Sequence, residues 1–282
     1  MTIYISTGCI KDKTIQESID HLKDNGIKNI ELSGGKHDPD IFQKLMNYKT
    51  EINFMLHNYF PPPKIPFTLN LATLNKEIFE ISEKHILNSI RLSSKLGIPF
   101  YSFHAGFLVD PDPKELGKKI LNRKKNDEKV ATEVFLERVC KFAQEGKKEG
   151  VEILIENNVL NKQNYKTFDG NPFMMSSIIQ TENLVKYFPQ NVSILLDLAH
   201  LKVSSKTLNF SPSEFLEKFD KKIRAYHISD NSGEFDTNDL VSENSWFWKY
   251  LKKDKAYYTF ELKTEIADIL KNQIKMLQKF IK

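Results

Sequence analysis

The chain has 282 residues, 40% hydrophobic and 28% charged, with 41 Lys and Arg against 37 Asp and Glu for a net charge of +4. That length suits one large α/β domain, and no run of about 18 apolar residues exists to form a membrane-spanning helix. The basic excess is carried by Lys, with Arg only at positions 91, 123, 138 and 224, which argues against a nucleic-acid reader built on clustered Arg forks.

In chain order, short apolar runs alternate with longer amphipathic ones. IYIS (Ile3 to Ser6) predicts a strand, and TIQESIDHLKDNG predicts a helix with Thr14 and Glu17 as a capping box and a stop at Gly26. NIEL (Asn29 to Leu32) precedes a short helix near Asp40 to Tyr48, and INFMLH (Ile52 to His57) precedes a long one from Asn75 to Gly97. PFYSFH (Pro99 to His104) is followed by a helix from Glu128 to Gly150, and VEILIE (Val151 to Glu156) by one near Glu182 to Phe188. VSILLD (Val192 to Asp197) leads to Pro212 to Phe219, and IRAYHIS (Ile223 to Ser229) to a short helix near Glu243 to Leu251. AYYTFEL (Ala256 to Leu262) and a helix from about Thr264 complete eight alternating pairs. This alternation predicts a single-domain (β/α)8 TIM barrel over residues 1–282.

Targeting and redox signals are sparse. MTIYISTGCIKDK lacks a basic start, so no signal peptide is expected, and Cys9 and Cys140 read as free thiols of a cytoplasmic protein. The basic stretch Lys118 to Lys129 reads as a solvated loop or helix start, with an anion-binding lid as the alternative.

The strand ends carry the chemistry. They read Ser6, Glu31, His57, His104, Glu156, Asp197, His227 and Glu261, and in a barrel these ends share one mouth. Buried acids gathered there would repel one another, and a divalent cation removes that repulsion. Glu156, Asp197, His227 and Glu261 form a three-oxygen, one-nitrogen set suited to Mn2+, Mg2+, Co2+ or Zn2+. His57 and His104 are candidates for a second metal with Glu156 bridging, where imidazoles favour Zn2+. Taken singly, each residue also has a structural reading, and Glu31 or Glu261 would pair with a lysine such as Lys263. His21, His37 and His85 fall in helices or loops and are expected at the surface.

Three long segments are placed over the mouth. HNYFPPPKIPFTLN would hold Tyr59, Phe60 and Phe67 in a stiff loop, AGFLVDPDPKELG follows the fourth strand, and NNVLNKQNYKTFDGNPFMMS supplies amides such as Asn157 for hydroxyl groups. Packing over the barrel is the alternative role for Phe60 and Phe67.

The order IEN, LLDLAH, YHISDN, FELK resembles the xylose-isomerase-like TIM barrels over essentially the whole chain. That superfamily includes sugar isomerases, ketose 3-epimerases and endonuclease IV. The resemblance implies one metal held by Glu156, Asp197, His227 and Glu261, with Glu156 and Glu261 also acting as acid and base. It implies a substrate or metal contact for His200, and further metal contacts for His57 and His104. Lys263 would bias a glutamate, and Tyr59 and Asn157 would touch substrate. Two departures stand out. Where endonuclease IV carries Asp-x-His after the seventh strand, GEFDTND offers Asp236 and Asn238, and HISDNSGEF lacks the epimerases' arginine.

The expectation is a metal-dependent isomerase or epimerase of a sugar or sugar derivative, proceeding through an enediolate. Its partner would be a small sugar; no membrane or nucleic-acid partner is expected, and a homo-oligomer is left open. The alternatives are endonuclease IV-like hydrolysis of abasic DNA and a non-catalytic sugar-binding barrel.

Overall fold

The computed structural model describes residues 1–10 and 13–281, and the side chain of Cys9, with the free-thiol expectation for it, lies outside the described set. Eight parallel strands close in sequence order: β1 (Ile3–Ser6), β2 (Asn29–Leu32), β3 (Asn53–His57), β4 (Phe100–His104), β5 (Glu152–Glu156), β6 (Val192–Asp197), β7 (Ile223–Ile228) and β8 (Tyr257–Phe260). All eight lie within runs expected as strands, and the expected (β/α)8 barrel is the architecture found.

The intervening helices are α1 (Ile15–Asp24), α2 (Ile41–Tyr48), α3 (Lys76–Leu96), α4 (Glu128–Glu149), α5 (Lys162–Thr167), α6 (Ile178–Val185), α7 (Leu198–Leu208), α8 (Pro212–Phe219) and α9 (Ala267–Phe280). The caps follow local chemistry. Thr14 Oγ1 accepts from the Glu17 amide while the Glu17 carboxylate accepts from the Thr14 amide, the reciprocal box read from sequence. Gly97 and Gly150 end α3 and α4 with φ of +73° and +69°, a conformation that costs other L-residues about 1–2 kcal/mol.

Several expectations need correction. The helix placed at Glu182 to Phe188 runs instead from Ile178 to Val185, because the Ser177 hydroxyl accepts from the Gln180 amide and starts it earlier. The helix placed at Glu243 to Leu251 is only a 3-10 turn, Trp248–Tyr250; its chain is held by side chains, with Lys202 Nζ 2.6 Å from Asp230 Oδ1 and the Ser245 hydroxyl donating to Asp230 Oδ2 at 2.7 Å. Two helices stand where none is expected: α5, inside the segment read as a mouth loop, which Asn161 caps by accepting from the Asn164 amide, and α7, for which Asp197, read as a strand end, is also the N-cap, accepting from the His200 amide at 2.7 Å. Finally, His85 is buried, because it lies on the inward face of α3 against the loop after β3.

Tyr4, Phe100 and Tyr257, from β1, β4 and β8, meet with ring centroids 5.6–5.7 Å apart. β4 does not pair with β8, so the Phe100–Tyr257 contact crosses the barrel interior and the rings close it with an aromatic layer. Above it, register aligns the polar strand ends: His104 pairs with Glu156, Asp197 with His227, and Ser6 with Glu31. The loops after β4 and β5 carry a small second core, including Phe107, Ile120 and Phe173. Among the described residues no helix is long and apolar enough to cross a membrane.

Candidate metal centre

β5 delivers Glu156 into the centre of the mouth, and both of its oxygens are buried without a hydrogen-bond partner. Its Oε2 lies 3.2 Å from His57 Nε2 and 3.2 Å from His104 Nδ1. Its Oε1 lies 3.3 Å from His227 Nδ1. His227 Nδ1 is in turn 3.4 Å from Glu261 Oε2 and 3.9 Å from Asp197 Oδ2. One potential ligand atom from each of Glu156, Asp197, His227 and Glu261 falls within 4.8 Å of the others, and His57, His104 and Glu156 form a second such group.

Neighbouring groups fix the imidazoles. The His227 Nε2 hydrogen is directed to Glu31 Oε2 at 3.0 Å, and Glu31 Oε2 also accepts from the Thr259 hydroxyl at 3.0 Å. That turns Nδ1 toward the acids. His57 Nδ1 is bonded to the Ser102 hydroxyl at 2.9 Å, which turns Nε2 toward Glu156. His200 is placed by the first turn of α7. Its Nδ1 donates to the Asn157 carbonyl at 2.9 Å, and its Nε2 sits 3.2 Å from Asp236 Oδ2.

The electrostatics show a site short of positive charge. Burial pushes the Asp197 carboxyl up to about 7, against the opposing pull of His200 and with Asp236 and Glu156 adding to the rise. Burial alone would raise Glu156 too, but the imidazoles of His104, His227 and His57 hold it well below the usual carboxylate range. Glu261 is brought down to about 2 against its burial, chiefly by His227. His227 and His200 are driven well above the ordinary imidazole value, against burial, by Glu31 and Glu156 in one case and by Asp197 and Asp236 in the other. Burial brings His104 down to about 4.

The orphaned buried atoms give the test of fit for a cation. Glu156 Oε1 and Oε2, Asp197 Oδ2, His227 Nδ1 and His104 Nδ1 are all without hydrogen-bond partners, and all belong to the two ligand groups. Unpartnered buried acceptors are costly, and a divalent ion satisfies several at once. The donor set of carboxylates and imidazoles fits such an ion.

The other expected site residues fall into distinct places. Tyr59 lines a cavity of about 220 Å³ together with His104, His200 and Asp236. Its hydroxyl accepts from the Leu69 amide at 2.9 Å, and burial raises it to about 12. Asn157 is fully engaged: its Oδ1 accepts from the Asp197 amide at 2.8 Å and its Nδ2 donates to the Asp197 carbonyl at 3.1 Å, so it holds Asp197 in place. Lys263 is exposed and lines a second cavity of about 240 Å³ beside Glu261, with none of the described ion pairs. Phe60 is completely buried, so it packs in the core. Glu31 and Asp236 had not been given site roles. Glu31 was visible as one more acid at a strand end; Asp236 lies in an irregular loop without a periodic signal.

Residues 17–257 match the family described as xylose isomerase-like TIM barrel. No curated protein matches the sequence. Similar solved structures include a D-tagatose 3-epimerase-like protein, with 18% identity, a TM-score of 0.75 and 99% of each chain covered. D-Psicose 3-epimerase with D-tagatose, from Clostridium cellulolyticum H10, shows 11% identity and a TM-score of 0.72 with 100% of each chain covered. The IOLI protein with a binding zinc atom shows 14% identity and a TM-score of 0.72, again over 100% of each chain. At these identities the structural likeness speaks for the fold, while the family match spans most of the sequence: the chain belongs to the xylose isomerase-like TIM barrel family.

Proposed function

We propose that this protein is a divalent-metal-dependent isomerase or epimerase of a sugar or sugar derivative. The observation that carries the reading is the convergence of Glu156, Asp197, His227 and Glu261, with buried lone pairs left open, at the end of the barrel where this architecture builds active sites. Sugar epimerases among the structures of like fold support the substrate class. Mn2+, Co2+, Mg2+ and Zn2+ all suit the four-residue set, and His57 with His104 would draw Zn2+ to a second position. When bound, such an ion supplies Lewis acidity that polarises adjacent substrate oxygens and stabilises the charge of an enediolate.

The chain's own groups supply the proton chemistry. Glu156 and Glu261 flank His227 Nδ1 at 3.3 and 3.4 Å, and both are held ionised, the state a base requires. One glutamate removes the proton beside the carbonyl. For an epimer the other glutamate, having first taken up a proton from solvent, delivers it to the opposite face; return of the removed proton at the neighbouring carbon gives an isomer. His200 and Tyr59 stand on the same cavity, where His200 would contact a substrate oxygen through the Nε2 edge that faces Asp236.

The test is incubation of the protein with a ketose and aldose panel in D2O, with and without chelator. Deuterium incorporation at the carbon beside the carbonyl, lost with chelator, is expected. Its absence across the panel contradicts the proposal. A second reading, phosphodiester hydrolysis, draws on the His57, His104 and Glu156 group. Against it, Asn238 stands where a histidine would be needed, and its Oδ1 accepts from the Ser229 hydroxyl at 3.2 Å. Chelator-sensitive nicking of abasic DNA without deuterium exchange would favour that reading.

A further inference from the structure

Asn58 follows His57 directly and has a φ of +49°, a left-handed conformation uncommon for a residue with a side chain. Its backbone is fixed from three sides. The Asn58 amide donates to the Ser102 carbonyl at 2.7 Å, and the Asn58 carbonyl accepts from Tyr101 Oη at 2.7 Å and from His85 Nε2 at 2.9 Å. Strain held this firmly near a reactive centre is a common mark of a group aimed at a ligand.

The side chain supplies an independent observation. Asn58 Oδ1 is buried and has no hydrogen-bond partner. Asn58 also lines the cavity of about 220 Å³ that His104 and His200 border, beside the metal cluster. Asparagine tolerates this φ better than most residues with a side chain. Glycine would adopt the same φ without leaving a buried acceptor unpaired. The rest of the wall includes Phe107 and Phe173, whose rings pack edge to face 5.5 Å apart. Aromatic rings beside the open oxygens of Asn58 and Asp236 suit the C–H faces and hydroxyls of a neutral polyol chain.

We propose that Asn58 is a specificity-determining residue, its side-chain oxygen accepting a hydrogen bond from one hydroxyl of a polyol chain that occupies the cavity bordered by His104. This assignment rests on the sugar reading above and adds a contact that selects among sugars.

The experiment is titration calorimetry of the Mn2+-loaded protein with D-fructose, D-tagatose and D-psicose, repeated with 4-, 5- and 6-deoxy analogues of the tightest binder. Asn58→Gly keeps the left-handed backbone and removes the amide; Asn58→Asp keeps an acceptor. Loss of one hydrogen bond predicts about tenfold weaker binding in Asn58→Gly, substantially restored in Asn58→Asp. For one deoxy analogue, wild type and Asn58→Gly should bind equally. Equal affinity of the Gly variant for the parent sugar, an equal loss for every analogue, or no sugar binding at all overturns the assignment. Metal-dependent deuterium exchange with binding indifferent to Asn58 removes Asn58 alone; Asn58-dependent binding without exchange removes the isomerase reading alone.

Discussion

Glu31 and His227, 196 residues apart in the chain, share a 3.0 Å hydrogen bond at the floor of the mouth, and both are completely shielded from solvent. The bond determines which face of the imidazole is open to the acids. In the proposed metal site Glu31 would act through His227 as a positioning residue. Glu31→Gln should weaken Mn2+ affinity by about 10–100-fold, as loss of such supporting carboxylates usually does. Metal titration with the fold monitored by circular dichroism checks this; unchanged affinity would show that Glu31 does not orient the ligand.

Gly8 lies close against the same site. A Cβ there would stand 2.8 Å from Ser33 Oγ and 3.1 Å from Glu261 Oε1. Gly8→Ala should push Ser33 aside and move Glu261 by a few tenths of an ångström, lowering kcat by less than the roughly hundredfold loss that a misplacement of about 1 Å causes. Thermal unfolding should change little, because the crowding falls at the mouth. A normal kcat would mean that Glu261 accommodates the methyl group.

Much of this site was legible in the sequence because parallel strands impose a register. Once eight strands were placed, His104 beside Glu156 and Asp197 beside His227 followed from where each strand stops. What escaped had no periodic signature. Asp197 serves both as strand end and as helix cap, which hid α7. The chain after β7 is stabilised by Lys202, Asp230 and Ser245 instead of by helical hydrogen bonds, so composition suggested a helix that does not form. Asn157 acts through tertiary hydrogen bonds to Asp197, and the open oxygen of Asn58 is likewise a tertiary feature, neither of which spacing encodes.

The buried His85 gives a pH prediction. Its burial lowers its pKa below the ordinary imidazole value, so the unfolded chain binds more protons than the native one just below that value. The contribution to stability is therefore present above about pH 6.5 and is lost as pH falls from there toward the native pKa. The slope cannot exceed about 1.4 kcal/mol per pH unit for one group. His85→Gln should flatten the dependence of denaturant midpoint on pH just below about 6.5. An identical profile in the variant would assign that dependence to other groups.

Metal should also stabilise the fold. At a free concentration of about one hundred times Kd, a native-state ligand contributes about 2.7 kcal/mol, which corresponds to a Tm rise of the order of 5–10 °C for a chain of this size. Asp197→Asn retains the oxygen that caps α7 but removes the charge from the cluster, so the rise should shrink or vanish while the helix persists. Differential scanning calorimetry with Mn2+ and with chelator separates these outcomes; an equal rise in wild type and variant would place the stabilising ion elsewhere.

Anomalous diffraction from crystals grown with Mn2+ and collected at the manganese absorption edge tests the central claim most directly. The account predicts an anomalous peak within coordination distance of Glu156, Asp197, His227 and Glu261. No peak there at saturating Mn2+, with the four side chains unchanged in position, would contradict it.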